Sequence, residues 1–434
     1  MPEQLPLTLR AYRLLTAAAT PLAPALIAHR LKRGKEDQAR LGERYGESRI
    51  ARPSGPVVWI HGASVGELLA VVPLIERIRA KEFGVLCTSG TVTSAAVAEQ
   101  RLPKDVIHQF VSLDAPRFVR RFFDHWRPDV ALFVESDLWP NLIMEAARRR
   151  IPLILVNGRV SERSFDRWRR VPSTIAALLR CFDLCLMQSA AYAERYHELG
   201  APHVVITGNL KLDVPEPPAD AVKLAALKTA IGERTVIAGA STHAGEETML
   251  IEAHRRLCSS FPGLLTVLAP RHPERGPGIL EIAHAAELKA RLRSRGELPE
   301  ADTDVYIADT LGELGLIYRL APIVFVGGSL ASHGGQNPIE PIKLGAAILH
   351  GPHVWNFAEI YAALDQSHGA EPVSDVAKLT ARMGAWLEDA GARATAIAAA
   401  RRTVAALGGA LERTVTALEP YLMQIRLEHR DADA

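Results

Sequence analysis

The chain alternates between short runs of consecutive apolar residues and longer segments in which apolar residues recur at helical spacing. A short apolar run bounded by turn residues is typical of a strand buried on both faces, and helical spacing predicts helices that cover a sheet. Strands that alternate with helices predict an α/β protein with parallel sheets. The predicted strands are 57–60, 84–88, 106–110, 129–134, 153–156, 184–187, 204–206, 236–238, 265–268, 304–307, 323–326 and 347–349.

Helices are predicted in many of the intervals between these strands, where apolar residues recur at helical spacing. They are 65–80, 93–100, 117–126, 142–150, 246–257, 311–320, 338–344 and 357–364. The alanine-rich stretch 376–428 predicts one or more long helices near the carboxyl end.

A similar sequence motif occurs once in each half of the chain. It reads VVWIHGASVGE at 57–67 and TVIAGASTHAGE at 235–246. Each joins a strand to a helix through a Gly-Ala-Ser turn, so we expect two Rossmann-like domains of similar construction. Ligands bind at the carboxyl ends of strands in such domains, so a central cleft between the two is the expected place for chemistry. The proline-rich stretch 212–219 predicts the linker between them. The chain is thus expected to consist of an N-terminal segment at 1–35, one Rossmann-like domain at 36–211, the linker, and a second Rossmann-like domain at 220–434 that includes the terminal helices.

The N-terminal segment contains the apolar-leaning stretch LLTAAATPLAPALIA at 14–28, followed by four basic residues between positions 30 and 35. As a helix this stretch would span about 22 Å, whereas a bilayer core is about 30 Å thick. We expect a hydrophobic anchor helix that lies on a membrane surface or inserts shallowly, with its basic cluster at anionic headgroups on the cytoplasmic side. A buried N-terminal helix of a soluble protein is the alternative.

Composition excludes some classes of function. The chain has 51 Lys and Arg against 49 Asp and Glu, which gives no overall reason to expect a nucleic-acid partner. The spacing of its 4 cysteines fits neither a zinc site nor a redox motif, so we expect free thiols in a reducing compartment. Sequence motifs for a metal site are absent, and we expect neither a metal nor a cofactor.

Two acids are candidates for proton transfer. Ser64 and Glu67 have the spacing of a capping box, so they either only cap the helix or place Glu67 in the cleft as a general base. A helix N-terminus favours an ionised carboxylate, which predicts a base ready at neutral pH. Glu135 ends the strand at 129–134, where doubly wound sheets bind ligands, although a simple loop acid is the alternative.

Several basic residues are candidates for binding an anion. Lys211 lies just before the linker, and Arg271 follows the strand at 265–268. Arginine suits phosphate and carboxylate, although Arg271 is equally compatible with an ordinary surface position. Arg159 and Arg163 belong to an arginine-rich segment with interleaved aromatic residues. This pattern predicts either a binding site for a phosphorylated headgroup or a solvent-exposed helix face.

The loop between Gly327 and Glu340 is rich in glycine and follows the strand at 323–326. Asn337 suits a helix N-cap, with Pro338 and Glu340 in the first turn. Exposed glycines such as Gly335 before a helix N-terminus predict an anion site made of backbone N–H groups, with turn chemistry alone as the alternative. The spacing is not that of a Walker A loop, so we expect a nucleotide bound without an NTPase apparatus.

Seven runs in this order closely resemble the signature segments of the 3-deoxy-D-manno-octulosonic acid (Kdo) transferases, which build the inner core of lipopolysaccharide. They are HGASVGE, VESDLWPN, NGRVSERSF, GNLKLD, GASTHAGEE, APRHPER and GGSLASHGGQNPIEP. The resemblance extends from the N-terminal anchor to about Tyr361. It implies a GT-B fold, CMP-Kdo as donor, a tetraacyl lipid A precursor (lipid IVA) as acceptor, and a place on the cytoplasmic face of the inner membrane.

The resemblance also implies roles for individual residues. Glu67 matches the proposed base of the family and Glu135 a second acid, so that a lipid hydroxyl attacks the anomeric carbon of Kdo with inversion and CMP leaves. The residues expected at the donor are Lys211, Ser241, Arg271, Gly335, Asn337 and Glu340. Those expected at the acceptor are Ser64, Arg159 and Arg163. Two other readings stay open: another nucleotide-sugar enzyme of GT-B type, such as a UDP-sugar transferase or a non-hydrolysing epimerase, and a non-enzymatic membrane scaffold.

Overall fold

A computed structural model describes residues 5–433, with the side chains of 431–433 left out. The chain divides into two compact units. Of the described residues, the first unit contains those up to Val214 and those from Gly408 onwards, and the second is Pro215–Leu407. The predicted linker at 212–219 therefore contains the boundary.

The first unit is built on a sheet of seven parallel strands in the order β3-β2-β1-β4-β5-β6-β7. The strands are Val57–His61 (β1), Gly84–Ser89 (β2), Ile107–Phe110 (β3), Val130–Val134 (β4), Leu153–Gly158 (β5), Leu184–Met187 (β6) and Val204–Ile206 (β7). The strand order reverses between β1 and β4, and a ligand crevice lies at such a reversal in doubly wound sheets.

Helices cover both faces of this sheet, because alternate residues of its strands face two separate apolar cores. On β1, Trp59 packs into one core with Phe133, and Ile60 packs into the other with Leu74. The helices of this unit are Leu7–Ala18, Ala23–Lys32, Leu41–Arg44, Val65–Arg79, Val92–Arg101, Pro116–Trp126, Pro140–Arg148, Glu162–Arg169, Pro172–Leu179, Ala190–Glu198 and Ala410–Asp433.

The C-terminal helix Ala410–Asp433 belongs to the first unit, and the predicted assignment of all terminal helices to the second domain is wrong for it. Its apolar residues Leu418, Leu422 and Ile425 are buried in the core beneath the helix Val65–Arg79. The carboxylate of Asp213 also accepts hydrogen bonds from N–H groups at the start of this helix segment.

The second unit contains another sheet of seven parallel strands, in the order β10-β11-β9-β8-β12-β13-β14. Its strands are Val236–Thr242 (β8), Leu265–Pro270 (β9), Ala290–Leu292 (β10), Val305–Ile307 (β11), Ile323–Val326 (β12), Ala347–His350 (β13) and Ala370–Pro372 (β14). Its helices are Ala221–Ile231, Glu246–Leu257, Gly276–Ala285, Leu314–Tyr318, Ile339–Lys343, Ala358–Gln366, Val376–Glu388 and Ala390–Leu407. The reversal of strand order lies between β8 and β12.

The two parallel sheets confirm the predicted α/β class, and all twelve predicted strands are present. The prediction missed β10 and β14, which are edge strands of three residues each. All four cysteines are free thiols, although Cys258 is exposed.

The N-terminal segment forms two helices, Leu7–Ala18 and Ala23–Lys32, rather than one continuous anchor helix. Within the described residues no single helix has the length and apolar character needed to cross a bilayer; a pair bent by 44° near residue 19 meets the criterion only when taken together. Leu9 and Ile27 are buried in the protein, whereas several other leucines of these helices are exposed. Insertion into a membrane therefore stays a prediction.

Candidate active site

Glu67 lies in the first turn of the helix that follows β1, directly at the reversal of strand order in the first sheet. Its carboxylate accepts a hydrogen bond from the Ala63 N–H at 2.7 Å and another from the Ser64 hydroxyl at 2.8 Å. The Ser64 hydroxyl oxygen in turn accepts from the Glu67 N–H at 3.3 Å. The predicted capping arrangement is therefore present, and it fixes the orientation of the carboxylate.

The electrostatic state of Glu67 differs from the expectation that it is fully ionised at neutral pH. Burial, followed by the negative charges of Asp137 and Glu135, raises the pKa of the Glu67 carboxyl to about 7. The two capping hydrogen bonds act in the opposite direction and are weaker than these effects. A carboxyl whose pKa lies near the working pH can both take up and release a proton, which is what general-base catalysis requires.

Glu135 directly follows β4, the neighbour of β1, and is buried. Its Oε1 lies 2.5 Å from the Lys211 Nζ, and its Oε2 lies 3.8 Å from an Arg159 guanidinium nitrogen. The backbone of Glu135 has φ of 63°, a left-handed conformation that is strained for a residue with a side chain. Such strain at the end of a central strand is typical of functional positions.

The backbone next to Lys211 is held by a residue that the sequence did not single out. The side-chain oxygen of Asn157, at the end of β5, accepts a hydrogen bond from the Leu210 N–H at 3.0 Å. Asn157 also has a positive φ, 54°. The Asn-Gly pair of the NGRVSERSF run was the available signal, since asparagine tolerates this conformation better than most residues.

Lys211, predicted at the donor, thus lies in the first unit with Glu135. Arg159, predicted at the acceptor, lies in the same cluster, whereas Arg163 is exposed on the helix Glu162–Arg169. The structure therefore brings Glu135, Lys211 and Arg159 together, with Glu67 within electrostatic reach of Glu135.

In the second unit, the predicted donor residues lie at the carboxyl ends of β8, β9 and β12. Ser241 has φ of 54° where the pairing of β8 with β9 shifts register. Arg271 is exposed immediately after β9, and its N–H donates to the Thr242 carbonyl. The Gly335 N–H donates to the Gly328 carbonyl at 2.8 Å, so it is already engaged.

The helix after the glycine-rich loop starts one residue later than predicted. It is Ile339–Lys343, with Pro338 at the N-cap, and the Asn337 side-chain oxygen accepts from the Ile339 N–H. Glu340 lies in its first turn, with one oxygen 3.5 Å from the Asn337 amide nitrogen. A helix of five residues has little dipole, so it does not provide the predicted anion site.

Glu246 occupies several backbone N–H groups of the glycine-rich loop that was predicted to bind an anionic ligand. One carboxylate oxygen accepts from the N–H groups of His243 and Gly328, both at 2.8 Å. The other accepts from Ser329, Leu330 and Ala331, at 3.0, 3.0 and 3.1 Å. The side chain is buried, and this role was missed because four of the donors lie more than 80 residues away in sequence.

The imidazole of His243 lies beside this carboxylate and stacks on that of His333, with ring centroids 4.1 Å apart and 17° between planes. The ring of His272 meets His243 edge-on at 5.8 Å. Burial, followed by the neighbouring His333, lowers the pKa of His243. Within residues 5–433 there is no group of three or more His, Cys, Asp or Glu side chains that could hold a metal ion.

Solved structures of other proteins share the fold of this chain. A glycosyltransferase from Rickettsia africae superposes with a TM-score of 0.58 at 11% identity, over 85% of this chain and 99% of that one. A putative UDP-N-acetylglucosamine 2-epimerase from Listeria monocytogenes superposes with a TM-score of 0.54 at 14% identity, over 86% and 98%. At this identity the likeness establishes the fold alone, which is the GT-B type shared by glycosyltransferases and such epimerases.

Sequence comparison identifies the family. Residues 39–214 match the family model of 3-deoxy-D-manno-octulosonic-acid transferase. The transferase of that name from Haemophilus influenzae is 33% identical over 390 residues, which is 88% of this chain and 91% of the relative. The one from Bordetella pertussis is 35% identical over 389 residues, which is 86% and 90%. This chain belongs to the Kdo transferase family and is a glycosyltransferase, which confirms the predicted membership and activity.

Proposed function

We propose that the protein transfers Kdo from CMP-Kdo to a tetraacyl lipid A precursor in assembly of the lipopolysaccharide core, with Glu67 as the general base. The observation that carries the proposal is the state of Glu67: an oriented carboxyl with a pKa of about 7 at the strand reversal of the first sheet. Family membership supplies the transferred sugar, and the presence of this acid favours an active enzyme over a scaffold.

In the proposed reaction, Glu67 takes the proton of a sugar hydroxyl on the lipid acceptor as the hydroxyl oxygen bonds to the anomeric carbon of Kdo. The bond from that carbon to the CMP phosphate oxygen breaks, and the configuration inverts. Ser64 and the Ala63 N–H orient the base. Lys211 and Arg159, held by Glu135, supply positive charge for the anionic substrate.

The contacts that we propose for the CMP phosphate differ from those predicted from the glycine-rich loop alone. The N–H groups of Gly328 and Ser329 are occupied by Glu246, so side chains carry the proposed recognition of the donor. Arg271 is exposed at the end of β9 and suits a phosphate oxygen. Ser241 lies at the carboxyl end of β8, and Asn337 and Glu340 lie on the loop and the short helix that follow β12. We assign these three residues to the ribose and the nucleobase.

The deciding experiment combines CMP release with mass analysis of the lipid, using CMP-Kdo and tetraacyl lipid A precursor. Glu67→Gln is expected to lower kcat by about 10²–10⁴-fold, the usual value of general-base catalysis. Glu76→Gln, an exposed position on the same helix, is the matched control and keeps full activity. Near-full activity of Glu67→Gln refutes the assignment of the base. Turnover of a UDP-sugar but not of CMP-Kdo refutes the proposed donor.

We further propose that the N-terminal helices bind the cytoplasmic face of the inner membrane. Leu7, Leu14 and Leu15 are 80%, 71% and 69% exposed. A groove of about 570 Å³ beside these helices is lined by Arg117 and Arg121, among other residues. Exposed leucines next to arginines suit an anionic lipid surface. Of the predicted basic cluster, Arg30 is instead paired with the buried Glu36, whereas Lys32, Arg33 and Lys35 are exposed.

Sedimentation with vesicles tests this location. The double variant Leu14→Glu/Leu15→Glu is expected to lose binding to vesicles that contain phosphatidylglycerol, because it places two charges in the apolar surface. Val222→Glu, at a position 79% exposed on the second unit, is the control and binds like the wild type. Equal binding of all three proteins contradicts the proposed surface.

A further inference from the structure

A single buried carboxylate joins the two loops at the strand reversal of the second sheet. The His243 N–H comes from the turn after β8, and the other four N–H donors to Glu246 come from the loop after β12. In doubly wound sheets this is where an anionic ligand binds, and successive backbone N–H groups form its cradle. Here the cradle is filled by a side chain of the protein itself.

The same two loops carry a stacked pair of imidazoles. His243 lies on the first loop and His333 on the second, and their rings are nearly parallel at 4.1 Å. His333 is exposed and His243 is half-buried, so the pair reaches the surface. The Gln336 amide nitrogen lies 3.4 Å from the His243 Nε2. Since Glu246 binds the backbone of His243 and of residues 328–331, the alignment of the rings depends on it.

We propose that Glu246 is a positioning residue for the donor: it holds the two loops so that the stacked imidazoles of His243 and His333 present ring N–H groups to the phosphate of the nucleotide-sugar. The inference rests on the proposed function, in which the second unit binds CMP-Kdo. An imidazole has at least one N–H donor in either protonation state, and a bound phosphate offers acceptors to both rings. Glu246 itself has its acceptor sites occupied and does not contact the substrate.

Calorimetric titration of the full-length protein with CMP tests the proposal. Glu246→Gln keeps the size of the side chain but turns an NH₂ group towards backbone N–H donors, so the loops lose their common anchor. We expect at least a tenfold higher Kd for CMP and a higher KM for CMP-Kdo, with kcat at saturating donor within about threefold of wild type.

Glu247→Gln is the matched control. Glu247 lies in the same helical turn and is buried, but its carboxylate binds Arg275 at 2.7 Å and Thr242 at 2.8 Å instead of the loop. The Kd for CMP of this variant is expected within threefold of wild type. A spectroscopic readout separates alignment from general destabilisation: the imidazole C2–H resonances of His243 and His333 carry a ring-current shift that Glu246→Gln removes and Glu247→Gln retains.

The outcomes are distinct. If Glu246→Gln is folded and binds CMP like wild type, or keeps the ring-current shifts, the positioning role is overturned. If it does not fold, His333→Ala tests the same inference at an exposed ring: a tenfold weaker affinity for CMP supports it, and unchanged affinity overturns it. Failure of the wild-type protein to bind CMP overturns the proposed donor itself, and the inference with it.

Discussion

Replacing Glu67 by glutamine is expected to abolish most activity and yet to stabilise the protein at alkaline pH. Burial and the charges of Asp137 and Glu135 raise the pKa of this carboxyl from 4.5 to about 7. Between these two pH values the folded state binds more protons than the unfolded state, so stability falls as the pH rises. Ionised Glu67 therefore destabilises the fold above pH 7, and the effect is absent below pH 4.5.

The size of the effect follows from the same values. A pKa of about 7 against 4.5 corresponds to a cost of about 3 kcal/mol when the group is fully ionised, as an upper figure because the side chain is partly exposed. The pKa of about 7 already includes the strengthening of the Ala63 and Ser64 hydrogen bonds by the negative charge. Glutamine therefore avoids that cost and loses at most one ordinary hydrogen bond, which is worth about 1 kcal/mol. The net gain at pH 8 is about 2 kcal/mol, or about 4–8 °C in Tm for a unit of this size.

The assay is thermal unfolding of wild type, Glu67→Gln and Glu76→Gln between pH 5 and 8, with activity measured in parallel. The Tm advantage of Glu67→Gln over wild type should grow as the pH rises and level off above pH 7, whereas Glu76→Gln should follow the wild type throughout. A Tm difference that does not change with pH, or that grows towards low pH, refutes the raised pKa of the base.

Three further predictions address other parts of the first unit. Asp137→Asn removes a negative charge that raises the pKa of the proposed base, so the acid limb of the pH profile of kcat/KM should move to lower pH; an unmoved limb contradicts this. Lys211→Met leaves buried Glu135 without its nearest cation and should lower stability by about 3 kcal/mol, measured by denaturant unfolding, with an unchanged midpoint as the contrary result. Leu418→Ala, in the C-terminal helix, should cost about 2–5 kcal/mol, whereas the exposed Met423→Ala on the same helix should cost little; equal stabilities would place that helix outside the core.

The sequence predicted the central strands well because each is a run of apolar residues buried on both faces. Strands β10 and β14 were not predictable in this way: Ala290–Leu292 has arginine at its centre, and Ala370–Pro372 has glutamate. Both lie at sheet edges, where pairing on one side requires no apolar run.

The positions of Glu67 and Glu135 were predictable, because both acids lie at the carboxyl ends of central strands of the first sheet. The protonation state of Glu67 was not predictable. The helix N-terminus pointed to an ionised Glu67, and burial outweighs it. Likewise, the alanine-rich composition of 376–428 predicted long helices near the carboxyl end without indicating which unit each of them covers. The contacts of Glu246 come from a loop distant in sequence, so no local pattern contained them.

The carboxylate of Glu246 has a thermodynamic consequence for the loop after β12. A glycine-rich loop that is flexible in the free protein loses conformational entropy when it binds a phosphate, and this loss weakens binding. Here residues 328–331 are already ordered in the folded protein, because their N–H groups donate to the carboxylate of Glu246, the first residue of the helix Glu246–Leu257. Because the loop is already ordered in the free protein, the binding of a nucleotide beside it does not have to offset a loss of loop entropy. Fewer side-chain contacts are then needed to reach a given affinity for the nucleotide.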